Sequence, residues 1–173
     1  MIVALVVVDQ VSKLMVHYLL EPVGSVDIIP NVFRFTYVEN RGAAFGMFSE
    51  HRRVFMIISV LAIGALLIYL WKFRPDSVLA CMAVSMIIAG GIGNMIDRVL
   101  LGYVIDFLDF CAFPNIWPWV FNVADVCVCV GGGLLVLWFI ISIISDYKKE
   151  RAEKSDTAAQ TDKPEAAEEN KTE

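Results

Sequence analysis

Four long apolar runs partition this chain, and the polar residues fall between them or at their edges. The first is Met1–Leu20, interrupted by Asp9 and Lys13; the second, Val54–Trp71, is the cleanest. The third is Val78–Ile96, glycine-rich near its end, and the fourth is Val123–Ser145. Each runs about 18–23 residues, enough for a helix rising ~1.5 Å per residue to cross a ~30 Å hydrocarbon core. A cleavable signal peptide is the rival reading of the first run. It lacks a basic n-region and a small-x-small cleavage site, so a membrane span is preferred.

The connections are as informative as the spans. Between the first two, Val32, Arg34, Thr36 and Val38 alternate with Phe33, Phe35 and Tyr37. Period-two alternation of β-branched and aromatic residues predicts a strand. Asn40-Arg41-Gly42 supplies a turn, and Ala43–Met47 is expected to return as a second strand. A small β-sheet platform on one membrane surface follows. The second connection is short; Pro75 breaks the helix and Ser77 can cap the next. The third, Asp97 to Phe121, carries Phe107, Phe110, Phe113, Trp117, Trp119 and Phe121, with Pro114 and Pro118. Such aromatics favour the membrane–water interface, so this segment is expected to lie among the headgroups. The first and third connections share a side of the membrane, because two spans separate them.

Composition supports this architecture. Of 173 residues, 58% are hydrophobic and mean hydropathy is +0.65, which excludes an ordinary soluble domain. The net charge of −5 is no nucleic-acid footprint: nine acids and six bases after Ser145 supply −3 of it. The chain therefore divides into a membrane-embedded domain, 1–145, and a charged tail, 146–173, without an aromatic residue after Tyr147 and expected to be disordered. Lys148, Lys149, Arg151 and Lys154 cluster after the last span and favour a cytoplasmic C-terminus. An even number of spans then puts the N-terminus on the same side. Cys81, Cys111, Cys127 and Cys129 suggest no disulfide, and with His17 and His51 offer no metal-ligand spacing. No metal or cofactor is expected.

The chemistry gathers at the span edges. Asp106 and Asp125 are acids among apolar residues, in Tyr103-Val104-Ile105-Asp106-Phe107 and Phe121-Asn122-Val123-Ala124-Asp125. An ionisable group at membrane depth costs at least ~2.5–3.5 kcal/mol, which makes each a functional hypothesis. Two carboxylates brought together resist double ionisation, so one keeps a proton and the pair becomes an acid and a base. Asp125 also lies near a helix N-terminus, whose dipole favours the charged form and opposes burial. Asp109, three residues from Asp106, competes for the same role, and spacing alone does not choose. Gly90, Asn94, Asp97 and Arg98 share one helix face at spacings of three and four. The glycine admits a neighbouring backbone; Asn94 and Arg98 can donate to a carbonyl or carboxylate; Asp97 can pair with Arg98 or a neighbouring helix. Asn122 stands three residues before Asp125. Asp9 and Lys13, at i and i+4 with Gln10 and Ser12 beside them, either tie the first span to the others or face the site.

Five blocks now stand in order: Asp9-Gln10-Val11-Ser12-Lys13, Asn40-Arg41-Gly42-Ala43-Ala44-Phe45, Gly90 through Arg98, Val104-Ile105-Asp106-Phe107, and Phe121 through Asp125. Together they resemble the lipoprotein signal peptidases, or signal peptidase II. The resemblance implies an all-α integral membrane protein of four spans with a small extracytoplasmic β-platform between the first two. It implies an aspartic endopeptidase without metal, in a bacterial cytoplasmic membrane, cleaving prolipoproteins just before a diacylglyceryl-modified cysteine. Lipid-modified prolipoproteins, membrane lipids and globomycin-type inhibitors are the implied partners, and nucleic acid is not. The catalytic dyad falls on Asp106 and Asp125, so the resemblance chooses Asp106 over Asp109. Asn40, Asn94, Arg98 and Asn122 match positions lining that family's active site. Asp9 and Lys13 match its motif in the first helix, and Asp97 the acid of its third-helix block. Only eight residues precede Asp9, which points to an upstream start or a shallow entry of the first helix. A proton-coupled transporter is the rival from another class. It would place its acids nearer the midplane, commonly between internal repeats, and no repeat is visible here.

Overall fold

A computed structural model of the chain describes residues 1–42, 52–73 and 75–161. Among them are four helices long and apolar enough to cross a membrane: α1 (Ile2–Leu20), α2 (Arg52–Phe73), α3 (Val78–Leu100) and α4 (Val123–Thr161). Their surfaces are turned inside out relative to a soluble bundle. Nothing in the spanning window of α2 is buried, and Ile57, Leu61 and Ile68 are exposed, as suits a helix whose solvent is lipid. The buried polar positions are instead Asp9, Lys13, Asp97, Asp106 and Asn122.

The chain divides into two compact units, Met1–Leu135 and Val136–Glu173. In the first, α3 is the most buried helix, with 39% of its window enclosed. Two glycines let its neighbours approach. A Cβ on Gly93 would stand 2.5 Å from Asp9 Oδ2, and one on Gly90 would overlap the carbonyl oxygen of Ala124. These two positions put α1 and the start of α4 against α3.

The sheet has four antiparallel strands in chain order, β1 (Ser25–Ile29), β2 (Phe33–Asn40), β3 (Val104–Asp109) and β4 (Val120–Phe121). β2 is the strand the alternation predicts. β1 is not signalled by alternation: a turn makes it, with Pro30 before Asn31 at φ 60° and the Val32 N–H donating to the Ile29 carbonyl at 3.0 Å. The expected return strand at Ala43–Met47 lies outside the described residues.

The third connection differs from expectation. It does not merely lie among headgroups but adds β3 and β4 to the platform, which is therefore built from two connections rather than one. Val104 to Phe107 are buried; only Phe110, Phe113, Trp117 and Trp119 remain an exposed aromatic fringe. The α3 helix also runs past Ile96 to Leu100, so Asp97 and Arg98 are helical residues. Gly102, at φ 91°, ends it, and its N–H donates to the Asp97 carbonyl at 3.2 Å. Because β1 follows α1, β3 follows α3 and β4 precedes α4, the sheet gathers the same ends of these helices.

In the second unit, α4 continues past Ser145 to Thr161, and 162–173 of the tail lie outside the described residues. The tail's Ala, Glu and Lys are strong helix formers, and Glu150–Lys154 pair one turn apart at 2.6 Å.

Gly90 should tolerate no side chain. Gly90→Ala is expected to lower unfolding stability in detergent by about 1–3 kcal/mol through overpacking. Gly64→Ala, where nothing lies within 4 Å of the added Cβ, should be neutral or slightly stabilising. Thermal melts of the two variants beside the parent check the contrast.

Candidate active site

The two acids reach one place from different elements. Asp106 projects from β3, next to the edge that pairs with β2. Asp125 sits in the first turn of α4. What joins them is Asn122, which is fully buried. Its Nδ2 donates to Asp106 Oδ1 at 2.6 Å and to Asn94 Oδ1 at 3.1 Å, using both of its hydrogens. Its Oδ1 accepts the Asp125 backbone N–H at 2.9 Å, and Asp125 Oδ2 accepts the Asn122 backbone N–H at 3.2 Å. This reciprocal pair is a capping box, so the motif that starts α4 also aims Asp125.

The remaining amides are oriented by donors that cannot reverse. The Lys13 ammonium has only hydrogens to give, so the Asn94 atom 2.9 Å away is its oxygen. The Asn94 Nδ2 is then turned to Asp125 Oδ1, to which it donates at 2.8 Å. Asn40, the last residue of β2, donates Nδ2 to Asp106 Oδ2 at 2.8 Å, while its Oδ1 accepts the Gly42 N–H at 3.1 Å. Each acid is therefore held through both of its oxygens.

The other expected residues fall around this centre. Lys13 pairs with Asp9 at 2.9 Å and with Asp97 at 3.0 Å, all three almost fully buried. Asp97 thus finds the α1 lysine rather than its neighbour Arg98. Arg98 donates to the carbonyls of Asn94, at 3.3 Å, and Gly42, at 3.4 Å, tying α3 to the end of β2. Gly90 touches no acid; it admits Ala124, the residue before Asp125. Gln10, a flanking residue in the sequence, brings its Nε2 within 3.1 Å of Asp9 Oδ2, the Gly93 carbonyl and Asp97 Oδ1. Its one sequence signal is an amide inside an apolar span. Asp109 points elsewhere: Oδ2 accepts from Arg34 at 2.6 Å and Thr36 at 2.9 Å in a cross-strand pair. No group of three or more His, Cys, Asp or Glu among the described residues could hold a metal. An apolar groove of about 510 Å³ between α2 and α3, lined by Val60, Leu67, Ile92 and Val99 among others, offers hydrocarbon contacts but no catalytic group.

Burial, and then the charge of Asp125, push the Asp106 carboxyl from its ordinary 3.8 up to about 7. The amides of Asn40 and Asn122 and the charge of Lys13 pull the other way and do not prevail. Near neutrality Asp106 is a group that can hold or release a proton.

The model of the family described as signal peptidase (SPase) II matches residues 1–141. The chain belongs to the signal peptidase II family. It is 45% identical over 139 residues to the lipoprotein signal peptidase of Halothermothrix orenii, covering 79% of this chain and 92% of that one. To that of Caldanaerobacter subterraneus subsp. tengcongensis it is 47% identical over 135 residues, with coverages of 78% and 90%. A bacterial membrane enzyme solved by the in meso method at 2.3 Å shares its fold, with a TM-score of 0.73 and 33% identity over 86% of this chain and 87% of that one. As a signal peptidase II the chain is a protease, and its four spans make it a multi-pass membrane protein.

The raised Asp106 value has a consequence for stability. The folded protein keeps a proton that the unfolded chain releases near pH 3.8, so this group makes stability fall as pH rises from there to about 7. Asp106→Asn removes the contribution. Relative to the parent it should gain stability between pH about 4 and about 8, on the order of 4 kcal/mol at most. Paired denaturation curves in detergent measure this, and a parent–variant difference that stays flat with pH contradicts it.

Proposed function

We propose that this signal peptidase II is an aspartic endopeptidase whose catalytic dyad is Asp106 and Asp125, removing signal peptides from lipid-modified prolipoproteins just before the lipidated cysteine. The observation that carries the reading is the convergence of a buried acid, Asp106, and a half-buried one, Asp125, on Asn122, with Asp106 raised to about 7. Such a pair holds one proton near neutral pH and titrates as a unit. The ionised member takes a proton from a water attacking the scissile carbonyl. The protonated member polarises the carbonyl oxygen and later gives its proton to the leaving amine. The water oxygen joins the carbonyl carbon and the C–N bond breaks as the amine takes that proton, while the proton taken from water stays on the other member, so the pair again holds one proton.

Asn40, Asn94, Arg98 and Asn122 serve as binding and orienting groups around the dyad. Asp109 is the acid excluded, because its oxygen is committed to Arg34 and Thr36. The sheet that carries Asp106 gathers one end of the spans, which supports an active site at one membrane face, exposed to water while acyl chains stay in lipid. Burying those chains at ~0.8 kcal/mol per CH₂ accounts for a preference for lipidated substrates. Membrane lipids and globomycin-type inhibitors are the further partners of this reading. The basic residues after the last span support cytoplasmic termini in a bacterial inner membrane, with the active site at the outer face. A proton-coupled transporter is disfavoured by the position of both acids at the sheet end of the spans.

Cleavage of a lipidated reporter by purified protein in detergent tests the proposal. Asp106→Asn and Asp125→Asn should each abolish turnover in folded protein, because neither acid can perform the other's task. Asp109→Asn should retain substantial activity. An active Asp106→Asn beside an inactive Asp109→Asn would reverse the assignment.

A second experiment concerns metal. Activity should survive EDTA and 1,10-phenanthroline. Loss on chelation that added zinc restores would refute the two-carboxylate chemistry.

A further inference from the structure

The Asp9–Lys13–Asp97 cluster is almost fully buried, and its hydrogen bonds end in particular places. The three hydrogens of Lys13 Nζ go to Asp9 Oδ2 at 2.9 Å, Asp97 Oδ2 at 3.0 Å and Asn94 Oδ1 at 2.9 Å. Asp9 then uses Oδ1 to accept the backbone N–H of Ala124 at 2.9 Å. Asp97 uses Oδ2 to accept the backbone N–H of Ile105 at 3.2 Å. Ala124 is the residue immediately before Asp125, and Ile105 is the residue immediately before Asp106. The third arm passes through Asn94, whose amide ends on Asp125. Gln10 spans the two carboxylates from the other side.

Neither backbone grip is needed to bind α1 to α3; the ion pairs alone would do that. The grips reach beyond those helices, to β3 and to the first turn of α4. We propose that Asp9, Lys13 and Asp97 form a positioning device that sets the separation and aim of the two catalytic aspartates by holding the backbone one residue before each. The inference rests on the dyad reading above. A reacting group displaced by about 1 Å loses ~100-fold in rate, so a fault in this device appears in turnover and not in substrate affinity.

The test compares two variants at one position with a lipidated reporter. Asp97→Ala removes the acceptor for Ile105 and should lower kcat at least ~100-fold per folded molecule, with KM within about threefold. Asp97→Asn keeps a carbonyl oxygen that can accept from both Ile105 and Lys13. It should hold kcat within ~10-fold of the parent even if its melting temperature falls as far as that of the alanine variant. A kcat unchanged in Asp97→Ala, or an asparagine variant no better than the alanine one, overturns the proposal and leaves a purely structural cluster. Where Asp97→Ala does not fold, the Ile105 backbone amide is replaced by an ester, which deletes that single N–H and keeps every side chain. The ester enzyme should lose at least ~10-fold in kcat at unchanged KM, and a parental kcat overturns the proposal. Asp106→Asn is assayed alongside. If it stays active, the dyad reading fails; if it is inactive while the Asp97→Ala and ester enzymes turn over at the parental rate, only the positioning role fails.

Discussion

Two carboxylates meeting at one fully buried amide impose the constraint from which the rest of the structure follows. Asn122 can satisfy Asp106, Asn94 and the Asp125 backbone at once only if β3, α3 and the start of α4 converge on it. Left unpaired, buried groups of this kind cost several kcal/mol each. Here Asp106 accepts two side-chain amides, Asp125 accepts one amide and one backbone N–H, and the Lys13 ammonium uses all three of its hydrogens. What the hydrogen bonds do not remove is the mutual repulsion of the acids. Burial first, and then that repulsion, appear as the raised Asp106 value, the property on which the proposed chemistry rests.

A membrane makes this arrangement easier to understand. With lipid outside, apolar burial does little to drive helices together, so close backbone approach and internal polar contacts must hold the bundle. Gly90 and Gly93 supply the approach, to Ala124 and to Asp9. The polar contacts supply specificity, since a shift of α1 by one residue would separate Asp9 from Ala124 and Lys13 from Asn94. The sheet contributes Asp106 and Asn40, which sit on adjacent strands and meet diagonally across the ladder. The contacts that hold the helices and the proposed dyad thus belong to one hydrogen-bond network.

The sequence made some of this legible and hid the rest for identifiable reasons. The four spans are strong signals because each is a long, predominantly apolar run. The β2 strand is legible because its alternation survives over seven residues, Val32 to Val38. β1 escaped because a single turn at Pro30-Asn31, not an alternating pattern, makes it. β3 escaped because Val104 to Phe107 are all buried, and a strand buried on both faces has no period-two signature. The apolar run ends at Ile96 because Asp97 and Arg98 are charged, whereas the helix goes on to Leu100 with Asp97 paired to Lys13 of α1. The helix was expected to stop at Ser145 because hydropathy ends there, whereas helix propensity does not. Within the site, spacing could not choose between Asp106 and Asp109. What separates them physically is their partners: Asp109 is committed across strands to Arg34 and Thr36, and Asp106 to Asn40 and Asn122.

The central claim is that Asp106 and Asp125 share one proton at neutral pH. Isotope-edited infrared spectroscopy of the membrane-embedded enzyme with labelled aspartate counts protonated carboxyls directly. The account predicts a single protonated dyad carboxyl that persists well above the ordinary carboxylate range and titrates away near pH 7, as the Asp106 value requires. Two fully ionised dyad carboxylates from mildly acidic pH upward would contradict it.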